Sequence, residues 1–479
     1  MGKRSIKKNY LYNLMYQVLL LITPLVMTPY VSRVLGADGV GTVSYTESIV
    51  AYFVLFANMG ITTYGQREIS YVQDSRKKRS VVFWNTKILQ SITAFLSLLV
   101  YLFFSMYQDD VIIYAIFSIN ILAVLVDVTW FYQGMEEFGK IVLRNMVFKI
   151  LNIIYIFVFV KTREDIYFYA LGMCLFTMVS NLILWFSLRN YIDKVGKNDL
   201  HLTKELPIVL SLFAPTIAIQ IYTVLDKTMI GVITQDAYQN GYYEQALKIS
   251  RMGLMVVTAL GTVMIPRIGY YFEQKEKEKI EMLMYRTYRF VWFLGIPLCL
   301  GLMMVASNFV PWFFGAGYDQ VVVLIRILSC LILAIGINNV TGMQYLIPTK
   351  KQNIFTITVV IGATINFILN AILINKFQAV GAAVSSVVAE AVIAIVQLII
   401  VRKELNPWLV INGSKNYWLA GGVMAFTLYY VGSLCTASML HTFLLILVGG
   451  AIYLVLLLLL KDEFLCLYIN GIREKVKKH

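Results

Sequence analysis

Apolar runs as long as a bilayer is thick recur through the whole chain, separated only by short polar gaps. A helix needs about 20 apolar residues to cross a hydrocarbon core about 30 Å thick. Leu444–Leu460 alone supplies 17 consecutive residues without a charge. Composition agrees with this pattern. Hydrophobic residues make up 59% of the 479 positions, charged residues 14%, and the mean hydropathy is +0.71. Soluble domains carry about 45–50% apolar and about 25% charged residues. A soluble multidomain enzyme and a disordered chain are therefore excluded, and nine prolines with 30 glycines exclude a collagen-like or linker-dominated one. The chain reads as an all-α integral membrane protein.

The net charge of +14 invites a nucleic-acid reading, but the basic residues sit in the gaps between apolar runs, so no nucleic-acid partner is expected. Five scattered cysteines and three distant histidines give neither a disulfide framework nor metal spacing. The basic start MGKRSIKK precedes a long run through Pro24 and Pro29 without a cleavage site, so no cleaved signal peptide is expected.

The runs divide into about 14 helices, at 12–32, 43–63, 81–104, 111–132, 144–160, 166–188, 207–233, 241–265, 288–306, 321–347, 353–374, 380–401, 417–435 and 441–460. Alternate gaps differ sharply in charge. One set holds 31 of the 41 lysines and arginines; the other holds Arg33, Lys161, Arg163 and Lys376. That asymmetry predicts cytoplasmic placement of both termini. The outer gaps are short, leaving no room for an extracellular domain. The inner link FEQKEKEKIE alternates in charge and reads as a solvated linker continuing a helix along the membrane surface.

A polar link near 189–206 splits the first twelve spans into six and six. The expected divisions are an N-terminal lobe (1–195), a C-terminal lobe (196–405), and two added helices with a cytoplasmic tail (406–479). Each lobe opens alike. A helix is followed by a Gly-rich turn (Gly36, Gly39, Gly41; Gly231, Gly241) and an aromatic, acidic helix start (Tyr45, Glu47; Tyr242, Tyr243, Glu244). Such internal repeats are common in transporters.

Ionisable residues inside spans are costly and suggest function by default. They are Glu47, Lys87, Asp127, Lys149, Asp226, Lys227, Glu244, Lys248, Arg251, Arg326 and Glu390. Glu244, Lys248 and Arg251 stand at i, i+4 and i+7, hence on one helix face. Asp226 and Lys227 lie in the preceding helix. Lys227, Lys248 and Arg251 leave a cationic excess suited to an anionic head group, and Arg suits phosphate because its fork bonds two oxygens. The structural alternatives stand beside this. Lys87, Asp127 and Lys149 lie near span ends, where snorkelling or ion pairing accounts for them, as it does for Arg326. Glu390 reads equally as an interhelical hydrogen-bonding group, and Glu244–Lys248 as a self-neutralising pair. Pro24, Pro29, Pro215, Pro266 and Pro297 read either as hinges or as static kinks.

The stretch TPYVSRVLGADGVGTVSYTESIVAYFVLFANMGITTYGQREIS (28–70) resembles the opening of bacterial polysaccharide flippases, the Wzx-like or polysaccharide transporter family. LDKTMIG (225–231), GYYEQALKIS (241–250), PRIGYYF (266–272), FFGAGYDQVVVLIRILS (313–329) and NFILNAILINKFQAVGAAVSSVVAE (366–390) keep the family's order. Lipid II flippases and MATE multidrug exporters are more distant relatives. The resemblance implies two six-helix lobes forming a V around a central cavity, with two extra C-terminal helices here. It also implies transport of undecaprenyl-pyrophosphate-linked oligosaccharide from the cytoplasmic to the outer leaflet. By position it carries over Arg33, before the LGADGVG turn, Asp226 and Lys227, in the D-K word, and Lys248. Glu244 and Arg251 join this set from helix geometry.

A flippase of a lipid-linked glycan in a bacterial cytoplasmic membrane is thus the leading expectation, for capsule or O-antigen synthesis. Partners would be membrane lipids and, in the same route, a polymerase and glycosyltransferases. An ion-coupled drug exporter should favour acidic residues, and a polymerase or ligase needs a large outer loop. A scaffold leaves the embedded charge unexplained. No nucleotide-binding P-loop occurs and no cofactor or metal is expected. Coupling to a proton, sodium ion or the membrane potential stays open.

Overall fold

In hydrocarbon, backbone polar groups have no water to bond, so the apolar runs satisfy them within helices. The computed structural model describes residues 6–196, 200 and 202–466, and among these there is no strand. The expected basic termini (Lys3, Arg4; Arg473, Lys475, Lys477, Lys478) and Lys197 lie outside the described residues. Nine helices among the described residues are long and apolar enough to cross a membrane by length and composition. The count is below the expected 14 partly because two of these nine each merge a pair of expected spans.

The chain divides into two compact units, Met1–Thr228 and Met229–His479. The first contains α1 (Ile6–Asn58), α2 (Ile61–Tyr71), α3 (Arg76–Ser105), α4 (Val111–Val126), α5 (Thr129–Gly134), α6 (Phe138–Phe159) and α7 (Ile166–Leu188). It also takes most of α8 (Leu202–Thr234). The Gly-rich turn expected between the first two spans is a single kink. Gly36 (φ 74°, ψ 174°) interrupts α1, and helix resumes on both sides. A side chain there is strained, because left-handed φ suits glycine alone.

Short polar side chains start the following helices. Ser75 accepts from the Lys78 amide and Asp110 from the Ile113 amide. Thr162 and Asp165 close a reciprocal capping box. The core of this unit is an apolar cluster including Val31, Val43, Phe117 and Ile156, with a second, aromatic one around Trp130. The latter depends on close approach of α2 and α5. An added Cβ at Gly65 would lie 2.4 Å from Trp130 Cε3, and one at Gly134 2.7 Å from the Gln66 carbonyl. Small residues let membrane helices pack where no hydrophobic gain distinguishes protein from lipid.

The second unit contains α9 (Ala237–Thr258), α10 (Gly261–Glu273), α11 (Lys277–Phe314), α12 (Asp319–Leu328), α13 (Cys330–Asn338) and α14 (Gln352–Ile400). α15 (Pro407–Asn412), α16 (Lys415–Leu434) and α17 (Met439–Leu459) follow. The span expected at 241–265 is broken between α9 and α10 and bent by 40°. The span expected at 321–347 passes through α12, α13 and a π-helical stretch, Asn339–Leu346. The charged FEQKEKEKIE link turns at Lys275 (φ 60°) and then enters the 38-residue α11. α14 merges two expected spans across Gln378 (φ 53°, ψ −131°). The core here includes Tyr288, Trp292, Ile332, Tyr417 and Leu445.

Candidate functional site

Charge inside a span costs about 3 kcal/mol or more unless it is solvated or paired. In the first unit, Glu47 stands on the part of α1 after the kink, and its Oε2 lies 3.9 Å from Lys227 Nζ on α8. The lysine side chain is 11% exposed and the glutamate 42%, so the carboxylate is the open member. Thr228 donates to Ser48 Oγ at 3.0 Å and is hydrogen-bonded to Tyr52. Asp226 is half-buried one residue before Lys227. A polar seam therefore joins α1 to α8 in this unit.

Glu47 also lines a cavity of about 260 Å³ with Asn120, Asp127, Asn181 and Gln220. That is below the about 300–1,000 Å³ of pockets for drug-sized ligands. One edge of the cavity is set by the break between α4 and α5. Asp127 is extended there, and its carboxylate accepts from the Thr129 amide at 2.8 Å. The carbonyl freed by the break accepts from Lys87 Nζ at 2.9 Å, and Gln90 Oε1 accepts at the same distance. Lys87 is only 4% exposed, with the Trp185 ring 5.5 Å away. It turns inward and does not snorkel, because the helix break supplies an acceptor that lipid lacks. Arg144 is held similarly, by Asn145 and Asn181 and by the Ser180 carbonyl.

In the second unit, α9 carries Glu244, Lys248 and Arg251 on one helix, as their spacing requires. Lys248 Nζ lies 3.3 Å from Glu244 Oε1, with 32% of the lysine side chain and 10% of the glutamate exposed. Here the cation is the open member. Arg251 is exposed almost a turn further on. Gln239 accepts from the Ala379 amide and Tyr243 bonds Ser386, which fixes α9 against α14. Glu390 accepts from Asn338 at 2.9 Å, an interhelical hydrogen bond, which is one of the two readings open to it. Arg33 is exposed on α1, three residues before the kink.

The structure thus pairs Lys227 with Glu47, and Glu244 with Lys248. Glu47 was visible as an embedded charge, but nothing in the sequence paired it with a lysine 180 positions away. Asn120, Asn181 and Gln220 were missed because uncharged amides in apolar runs carry a weak signal.

Comparison with known proteins identifies the family of this all-helical multi-pass chain. The chain belongs to the family described as "Polysaccharide biosynthesis protein", whose model matches residues 6–272. It is 23% identical to the "Putative O-antigen transporter" of Escherichia coli (strain K12), over 84% of this chain and 98% of that one. The protein of the same description in Shigella dysenteriae is 22% identical, over 82% and 99%. Among solved structures the chain is similar to the lipid II flippase MurJ in an inward closed conformation. The TM-score is 0.74 at 17% identity, covering 95% of this chain and 99% of that one. An inward-facing MATE-family multidrug resistance transporter of the MOP superfamily gives 0.61 at 13% identity, covering 87% and 97%. The fold is therefore the one shared by these MurJ and MATE-family structures.

Proposed function

We propose that this chain flips an undecaprenyl-pyrophosphate-linked oligosaccharide repeat unit from the cytoplasmic to the outer leaflet, by alternating access, for surface polysaccharide synthesis. The carrying observation is likeness over 98% of the length of a protein described as an O-antigen transporter. The embedded pairs support it, since Lys248 and Arg251 offer accessible cations to a diphosphate while the lipid tail stays in the bilayer. Both termini are cytoplasmic in this reading, on the charge asymmetry between gaps. Membrane lipids are its surroundings, and a polymerase and glycosyltransferases act before and after it. The coupling source is a proton, a sodium ion or the membrane potential.

The test in cells is the leaflet distribution of the native lipid-linked glycan with and without this chain. Accumulation on the cytoplasmic face of the deleted strain is the expected result. Polymer defects with a normal distribution would point to an enzyme or scaffold. Alternating access has its own test. In a cysteine-free background, cysteines at positions 33 and 248 should crosslink in one state, and the crosslink should stop export. Full export by the crosslinked protein would remove that mechanism.

A second reading has one observation in its favour: Glu47 is more open than its lysine partner, as an exporter of cationic drugs would need. Deletion should then raise susceptibility to cationic dyes, and Glu47→Gln should reproduce that effect.

A further inference from the structure

A cavity of about 670 Å³ opens on the second unit, walled by the start of α11, the turn from α15 into α16 and the turn after α17. It is remote in sequence from every residue assigned above to substrate. Arg286, Arg289, Lys415 and Lys461 line it against two carboxylates, Asp462 and Glu463. Both carboxylates are already engaged. Glu463 Oε2 takes Arg289 Nη1 at 2.6 Å. Asp462, 6% exposed, accepts from the Tyr417 hydroxyl and the Leu465 amide, each at 3.1 Å. Among the described residues, the side chains of Arg286, Lys415 and Lys461 make no hydrogen bond or ion pair.

The backbone holds these cations at one place. Lys461 is left-handed (φ 50°), and the Lys461 and Asp462 amides donate to the Leu458 and Leu457 carbonyls at 3.1 and 3.0 Å. That closing turn fixes where the chain leaves α17. The α15 helix sits beside the opening and is apolar on its outer side as well as its buried one. Val410 is 2% exposed, whereas Trp408, Leu409 and Ile411 are 68%, 50% and 52% exposed. A cationic cavity with an apolar margin carrying a tryptophan matches the level of lipid head groups, where such side chains concentrate.

We propose that this cavity binds the phosphate of an anionic phospholipid head group, with the acyl chains lying over Trp408, Leu409 and Ile411. Arg286 supplies a fork for two phosphate oxygens, and Lys415 and Lys461 supply point charges. A soluble anion would gain nothing from the apolar margin, which is why the source is a lipid. The site belongs to α11 and to the two helices beyond the twelve, and it stands or falls independently of the transported substrate.

The test titrates the purified full-length chain in neutral detergent with dioleoylphosphatidylglycerol, dioleoylphosphatidylcholine or inorganic phosphate, counting bound molecules by native mass spectrometry. Saturable, salt-weakened binding of the phosphatidylglycerol is expected. Each cation removed should raise its half-saturating concentration about fivefold. The R286Q/K415Q/K461Q protein should therefore bind far more weakly, and R76Q/K77Q/K78Q, with the same charge loss in the first unit, should match the parent. If the first triple variant does not fold, K415Q and K461Q alone carry the same readout. Equal binding of phosphatidylcholine, equal loss in both triple variants, or single variants identical to the parent would overturn the proposal. Saturation by inorganic phosphate as readily as by the lipid would also overturn it, and would leave a soluble-anion site.

Discussion

Two carboxylate–lysine pairs sit within the helices, and they differ in which member is open. Glu47 faces the cavity of the first unit, and Lys248 is the open member in the second. Removing a partner from a buried charge is expensive, about 3–5 kcal/mol, so an alanine at Lys248 also acts on stability through Glu244. We therefore expect Lys248→Ala to lose more than about tenfold of glycan-surface complementation, with Lys149→Ala within about twofold of the parent. Matched membrane abundance separates the causes. The Glu244→Gln/Lys248→Gln protein should recover abundance without recovering transport. Parental activity of Lys248→Ala would remove the pair from the substrate path. A second residue-level prediction concerns packing. Gly65→Val should drive a methyl into Trp130, which is fully buried, and cost about 1–3 kcal/mol. The thermal midpoint in detergent reads this, and an unchanged midpoint would mean that α2 and α5 can separate freely.

At the scale of elements, breaks in helices do much of the positioning. The interruption at Asp127 frees the carbonyl that holds Lys87, and the kink at Gly36 separates Arg33 from Glu47. The Gly36 break was legible because glycine and charge cluster there, although as a turn and not as a one-residue kink. The break at Gln378 was legible only as a boundary between two spans, since the left-handed residue is not itself a glycine; the close approach it creates falls at Gly381, where an added Cβ would lie 2.3 Å from the Leu373 carbonyl oxygen. The spacing of Glu244, Lys248 and Arg251 could be read directly, because i, i+4 and i+7 is a local rule. The partner of Lys227 could not, because helix packing sets it.

The start of α8 offers a pH test. Glu205 precedes the apolar span 207–233 and is hydrogen-bonded by Tyr64 and Asn85. Burial, with Glu68 nearby, raises its pKa from 4.5 to about 7, while those two hydrogen bonds oppose the rise; Arg67 flanks Tyr64. A carboxyl raised in the folded state stabilises the fold while protonated. Its contribution is full below pH 4.5 and is lost as pH rises through about 7. The parent's thermal midpoint should therefore fall between pH 5 and 8 more than that of Glu205→Gln. Parallel curves would contradict the assignment.

At the scale of the whole molecule, all-helical membrane class and family membership were both legible. Apolar length and the order of family words depend on neither packing nor partners. Orientation remains the clearest prediction of this scale. Reporters fused after Lys197 and after His479 should both report the cytoplasm, and one at Gln235 the outside. Disagreement between the first two would mean an odd number of crossings between them.

The central claim is that this chain moves a lipid-linked oligosaccharide across a bilayer. Its most direct measurement uses the purified protein in sealed vesicles loaded with undecaprenyl-pyrophosphate-linked oligosaccharide, probed by a membrane-impermeant glycosidase added outside. Without protein, only the outer-leaflet fraction should be cleaved. With the parent protein and an imposed ion gradient or potential, the protected inner fraction should become accessible, and a Lys248→Ala/Arg251→Ala protein should leave it protected. An inner fraction that stays protected under proton, sodium and voltage gradients alike, with folded protein in the vesicles, would contradict the account.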